Sequence, residues 1–254
     1  MSPGRFIGPR WRRHLASLLA AGISLAGLAA PAHAAFPSTV AVNDTAFDPA
    51  CLGFEDSFPE KMYAAAKAEY ARLGYSVTGE SGSNFTRAAL LGRTAKDWSF
   101  YVHSHGDYYL NADGKRYSGF REDSGDCSQA VIFSKDILAK RAGRQSNLVV
   151  ISSCHNGEAN TTLPGAFAIG KTKAYGVAWN GPEFYLGYKG SSWDSDEWAY
   201  EQAFWDALGT GTAAGIAYDI ASAYVYDHDL QADWWGSYWF TGNPGLTGNC
   251  PFCS

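Results

Sequence analysis

Positive charge is scarce in this chain: 20 Lys and Arg stand against 25 Asp and Glu in 254 residues. Four of the 20 (Arg5, Arg10, Arg12 and Arg13) fall in the first 34 residues, which hold no acid, so the remainder carries 16 against 25, a net charge of −9. Nucleic-acid binders show the opposite sign and a clustered basic face, so nucleic acid is not an expected partner. Long apolar runs are also missing. Beyond residue 34 no stretch approaches the ~18 uncharged apolar residues of a membrane span. There is no internal repeat and no low-complexity linker, so the roughly 220 residues after position 34 read as one domain with a full core. Cysteine is sparse and odd in number: Cys51, Cys127, Cys154, Cys250 and Cys253.

The first 34 residues read as a secretory signal peptide. The four arginines form a basic n-region, residues 15–30 are Ala/Leu-rich, and Ala32-His33-Ala34 is a small-residue cleavage signature. The Arg12-Arg13 pair also admits a twin-arginine route. The expected organisation is a signal peptide over 1–34 and a single α/β domain over 35–254, secreted to the periplasm or medium, with no membrane partner once the leader is removed.

An exported protein tends to pair its thiols, and an odd count leaves one free. Only Cys154 follows a continuous apolar run, so it is the expected free thiol. Cys51, Cys127, Cys250 and Cys253 lie in loop-like sequence and are disulfide candidates, with three pairings open. The Cys250-Pro-Phe-Cys253 spacing resembles a redox motif, but no helix follows it to lower a thiol pKa, and a structural role is expected. Nine Trp, 15 Tyr and 14 Phe read as aromatic packing.

Helical and strand periodicities alternate. Helices are predicted over 59–73 (ending at Gly74), 84–94 (capped by Asn84, with Leu90 and Leu91 inward), 134–142 (capped by Ser134), 161–170, 193–208 and 212–224, the last expected to be buried. Strands are predicted over 75–78, 99–102, 130–133, 148–152 and 174–179, with a polar insertion over 111–129. Such alternation predicts a three-layer α/β/α domain around a mostly parallel sheet.

Two of these strands end in reactive side chains. One runs Trp98-Ser-Phe-Tyr-Val-His-Ser-His105-Gly106 and the other Asn147-Leu-Val-Val-Ile-Ser-Ser-Cys154-His155-Asn-Gly157. In open parallel sheets, chemistry sits beyond the carboxyl ends of the strands, so His105 and Cys154 are expected to share a crevice. A thiolate is a nucleophile, and a neighbouring imidazole lowers the thiol pKa and protonates a leaving amine. Backbone N–H groups of Gly106 and Cys154 would stabilise an oxyanion. This scheme needs no metal and no cofactor.

These strand ends resemble those of caspase-like cysteine peptidases, the group of caspases, gingipains, legumains, clostripains and CHAT-domain proteases. His105-Gly106 and Ser152-Ser153-Cys154 match in type and order, 49 residues apart. The sequence from Gly165 to Trp179 resembles the helix and strand that follow the Cys in that fold, and Phe240-Thr-Gly-Asn-Pro244 resembles a Gly-Asp-Pro turn of gingipain-like domains. The resemblance implies a caspase/hemoglobinase-like fold, a His105/Cys154 dyad cleaving protein or peptide substrates through an acyl-enzyme, and supporting roles for Asp107, Ser152 and His155. Where basic-specific relatives carry an Asp two residues before the Cys, this chain has Ser152. An acidic pocket would then have to come from Asp107 or Glu183.

Two alternatives use other features. His103-Ser-His105-Gly-Asp107 resembles the first metal motif of metallo-β-lactamase-like hydrolases, with Cys154, His155 and His228 as later ligands to zinc. Tyr108 stands where that family has another His. The other alternative is a catalytically inactive caspase-like binding domain, with the Trp/Tyr-rich segment 233–240 as its surface.

Overall fold

The structure is a computed structural model that describes residues 36–43, 58–122, 130–158, 161–170, 183–228 and 238–247. The leader, the strand expected over 174–179, most of the segment 233–240 and the four candidate disulfide cysteines lie outside them. In chain order the elements are β1 (Pro37–Val42), α1 (Phe58–Arg72), β2 (Ser76–Ser81), α2 (Arg87–Thr94), β3 (Ser99–His103), β4 (Gly106–Leu110), β5 (Arg116–Arg121), β6 (Val131–Phe133), α3 (Ser134–Arg141), β7 (Leu148–Ser152), α4 (Leu163–Ala166), β8 (Phe184–Tyr188), α5 (Asp194–Gly209), α6 (Ala214–Asp227) and β9 (Tyr238–Gly242). All lie within one compact unit, His33–Ser254.

Six strands form the central sheet in the order β2-β1-β3-β7-β8-β9, parallel except for β9. Every residue of β3, β7 and β8 is buried, as expected of parallel strands covered on both faces. Period-two alternation sends their side chains into two cores. Val40, Val42, Tyr101, Leu148, Val150, Phe184 and Leu186 pack under α1, α5 and α6. Ala41, Phe100, Val102, Val149, Ile151 and Tyr185 pack under α2, α3 and α4. The architecture is the three-layer α/β/α, mostly parallel one that the strand/helix alternation predicts. Among the described residues, no helix is long and apolar enough to cross a membrane.

Several local expectations need correction. The 111–129 insertion contains β5, which joins β4 and β6 in a separate three-stranded antiparallel sheet. The helix expected from 84 starts at Arg87 instead. Thr86 caps it by accepting the Ala89 N–H, which a Thr with extended backbone does well, while Asn84 ends a short 3-10 turn. Ser134 is the first residue of its helix rather than the cap, its hydroxyl 2.5 Å from Thr162 Oγ1. Helix 161–170 shrinks to α4. The last helix buries one face only, because Ile216, Ile220 and Tyr224 are exposed. Strands β1, β8 and β9 carry no sequence prediction. In β1, Ser38 and Thr39 are fully buried, the Thr39 hydroxyl donating to Asp97.

Candidate functional site

Parallel register brings the carboxyl ends of β1, β3 and β7 level: Val42 lies beside His103, and His103 beside Ser152. There the chain leaves the central sheet, and three consecutive residues make the crossing to β4, each gripped by a different strand. The His103 carbonyl accepts the Asn43 N–H (2.9 Å) at the end of β1. Ser104 N–H donates to the Ser152 carbonyl (3.2 Å) at the end of β7, and the His105 carbonyl accepts the Arg121 N–H (2.9 Å) from β5. Further ties come from Asn43 Nδ2 and Ser104 Oγ, both donating to the Arg121 carbonyl.

The turn after β7 is equally constrained. Ser153 N–H folds back onto the Ile151 carbonyl, His155 N–H reaches Gly190 O at 2.8 Å, and Gly157 N–H reaches Tyr188 O at 2.5 Å. His155 holds φ at +60°, a left-handed conformation that L residues adopt at a cost and that sits next to Cys154. Gly106 packs directly on this turn: a Cβ there would lie 2.5 Å from the Cys154 carbonyl oxygen and 2.7 Å from Ser153 Oγ. Only glycine allows this approach, which lays the His105-Gly106 segment against the Cys154 turn. His105 and Cys154 are both half-buried.

On the sheet face toward α5, His103 and Ser152 follow Tyr101 and Val150 by the strand period. The first turn of α5 meets them with carboxylates. His103 Nδ1 is 2.9 Å from Ser152 Oγ, Ser152 donates to Glu197 Oε2 at 2.9 Å, and Glu197 Oε1 accepts the Ser192 hydroxyl. Ser192 in turn holds Cys154: its N–H points at Sγ (3.4 Å), its Oγ is 3.7 Å away and its carbonyl 3.9 Å. One turn further along α5, Glu201 accepts the hydroxyls of Tyr101 and Tyr188, each at 2.8 Å. Burial pushes the Glu197 carboxyl up to about 8 and raises that of Glu201. Burial, then the charge of Glu197, also pushes the Cys154 thiol up, against the opposing pull of the Ser192 N–H. A thiol held protonated at rest needs a base at the moment of attack.

The other sequence candidates scatter. Asp107 is exposed on β4 and accepts the N–H of Tyr108. His155 pairs with Glu158, Nδ1 to Oε1 at 2.6 Å. Glu183 precedes β8 at the amino-terminal edge of the sheet, accepting from Gln145, so it lies at the wrong end to shape a pocket beside Cys154. His228 ends α6, exposed, against the Tyr224 carbonyl.

The metal alternative does not assemble as expected either. Among the described residues the donor group able to crowd one ion is His103 with Asp194 and Glu197, without His105 or Asp107. Glu197 approaches His103 Nδ1 at 3.4 Å, whereas Asp194 approaches Nε2 at 3.9 Å. The expected His105 and Asp107 take no part in this group.

Sequence reasoning missed Ser192, Asp194, Glu197 and Glu201. A signal was present. Glu197 and Glu201 fall at i and i+4 in phase with Phe204, Trp205 and Leu208, so two acids sit on the apolar face of their helix.

No protein-family model matches the chain, and no curated protein matches it. Solved structures do. The Arg-specific cysteine proteinase gingipain R superposes with a TM-score of 0.54 at 7% identity, over 83% of this chain and 46% of that one. This chain therefore spans less than half of the gingipain chain. Protein GSU0716 from Geobacter sulfurreducens superposes with a TM-score of 0.47 at 12% identity, over 85% and 98% of the two chains. The gingipain likeness shows the fold, and it is the caspase-like one that the two strand ends resemble.

Proposed function

We propose that this chain is an exported cysteine peptidase in which Cys154 is the nucleophile and His105 its general acid/base. The observation that supports the proposal is the contact of Gly106 with the Cys154 turn, which lays the His105-Gly106 backbone against the turn that carries Cys154, in a fold shared with a cysteine proteinase. The Cys154 proton passes to His105 as the sulfur attacks a peptide carbonyl carbon. The C–S bond forms as the carbonyl π pair moves to oxygen, where the N–H groups of Gly106 and Cys154 receive it. Collapse of that intermediate breaks the C–N bond, and His105 returns the proton to the leaving amine. Water, deprotonated by His105, then releases the acyl group and restores the thiol. The substrate is accordingly a protein or peptide. Export is supported by the basic, Ala/Leu-rich leader ending at Ala34.

A panel of proteins digested by the purified chain and by Cys154→Ala, with cleavage sites mapped, tests this. Cleavage that disappears in Cys154→Ala and falls at least 10²-fold in His105→Ala is expected. Cleavage that survives the Cys154 substitution would overturn the assignment.

A further inference from the structure

The hydrogen-bond chain from Cys154 to His103 runs through Ser192, Glu197 and Ser152. The two members nearest the sulfur, Ser192 and Glu197, are not used by the dyad. We propose that they are positioning residues for the nucleophile: Glu197 fixes the proton of the Ser192 hydroxyl, and Ser192 fixes the Cys154 sulfur and its balance between thiol and thiolate. The proposal rests on Cys154 being the nucleophile.

The donors decide the direction of the chain. With Glu197 ionised, both hydroxyls donate to it, from Ser152 to Oε2 and from Ser192 to Oε1. The Ser192 oxygen then faces Sγ with lone pairs, and the sulfur lies 3.7 Å from that oxygen and 3.9 Å from the Ser192 carbonyl, so an S–H donor is favoured. With Glu197 protonated, its own O–H donates to Ser192, whose hydroxyl proton turns to the sulfur beside the backbone N–H already aimed there at 3.4 Å. Two donors then oppose the effect of burial and ease, without completing, loss of the thiol proton. The carboxyl state of Glu197 thus shifts the balance of the sulfur between thiol and thiolate.

Other titratable groups face Glu197 from each neighbouring element. His103 and Tyr101 approach from β3, Asp194, Asp196 and Glu201 lie on α5 itself, and Cys154 lies beyond β7. The acids among them oppose its ionisation.

The test is iodoacetamide alkylation of Cys154, located by peptide mass, followed from pH 6 to 10 in the full chain, in isosteric Glu197→Gln, in Ser192→Ala and in the double variant. Wild type and Glu197→Gln are expected to react alike at pH 7 and to part above pH 8, the variant being about tenfold faster at pH 9, the size of a one-unit difference in thiol pKa. Ser192→Ala is expected to react about threefold slower than wild type at pH 7. In its background the Glu197→Gln effect should shrink to under twofold, the mark of coupling through the hydroxyl. Profiles of wild type and Glu197→Gln that superimpose across the range overturn the role of Glu197. A full tenfold effect persisting without the hydroxyl overturns the role of Ser192. Alkylation needs no peptide, so these outcomes are readable even if Cys154→Ala leaves peptide cleavage intact and the proposed function falls.

Discussion

The buried Glu197 makes folding stability depend on pH in a defined window. It is 2% exposed, bonded to the hydroxyls of Ser152 and Ser192, and its pKa rises from an ordinary 4.5 to about 8 because burial penalises the charged form. A carboxyl with a raised folded-state pKa contributes its stability fully below the unfolded value and loses it as pH climbs through the folded value. The window therefore runs upward from about 4.5 to about 8, the reverse of the usual salt-bridged acid. At 1.36 kcal/mol per unit, the loss is roughly 3–5 kcal/mol. Glu197→Gln keeps the shape and removes the titration. Unfolding free energies from urea curves at pH 4.5, 6, 7, 8 and 9 should coincide for the two proteins at the acid end. They should then separate progressively, with Glu197→Gln the more stable at pH 8 and above. The difference reads this carboxyl together with the groups its charge acts on, Cys154 and Glu201. Parallel curves from pH 4.5 to 9 would refute the reasoning, and so would a gap that opens downward in pH.

Three further outcomes follow from local geometry. Arg141 is buried and donates to the carbonyls of Thr94, Asp97, Arg144 and Gln145 while lying over the rings of Phe100 and Phe167. A lysine cannot reproduce that planar fork, so Arg141→Lys should lower urea-unfolding stability by about 2–3 kcal/mol, and a change under ~0.5 would contradict the clamp. Ala142 closes α3 at φ +49°, a strained position for an L residue, so Ala142→Gly should raise stability by about 0.5–1 kcal/mol; a loss would count against the strain. Gly106→Ala forces a methyl into the Cys154 carbonyl and Ser153, so peptide cleavage should fall about 10²-fold or more in protein that still folds by circular dichroism, whereas near-normal activity would show that the two turns need no such contact.

The sheet was legible where both faces are apolar. β7 coincides with its predicted strand because Leu148 to Ile151 is an unbroken apolar run ending at small residues, and β3 extends its prediction by a single residue, His103. β1 escaped because Ser38 and Thr39 interrupt it, and the burial of the Thr39 hydroxyl depends on a partner, Asp97, 58 positions away. The hairpin β4–β5 was hidden for a related reason: its Gly, Arg and Ser residues look like loop until the ladder and the core contact of Phe120 are known. At the site, His105 and Cys154 stood out because each ends a strand. Glu197 did not, because an acid in the first turn of a helix is ordinary chemistry at a positive dipole end. Its significance depends on Ser152 and His103 arriving on the facing strands, which no local pattern encodes.

Residues 103 to 105 are each tied by a different strand, from β1, β7 and β5, so the backbone that carries His105 belongs to two sheets at once. Reorienting it means loosening both. The β4–β5 turn around Gly114 is tied only locally, Asp113 accepting from Tyr117 and pairing with Lys135, and Gly114 itself, at φ +76°, faces open space. The two ends of the small sheet thereby differ mechanically: the tip can change in length or charge while the backbone of His105 stays held. Under the proposed peptidase function, editing that tip would leave the His105/Cys154 pair in place.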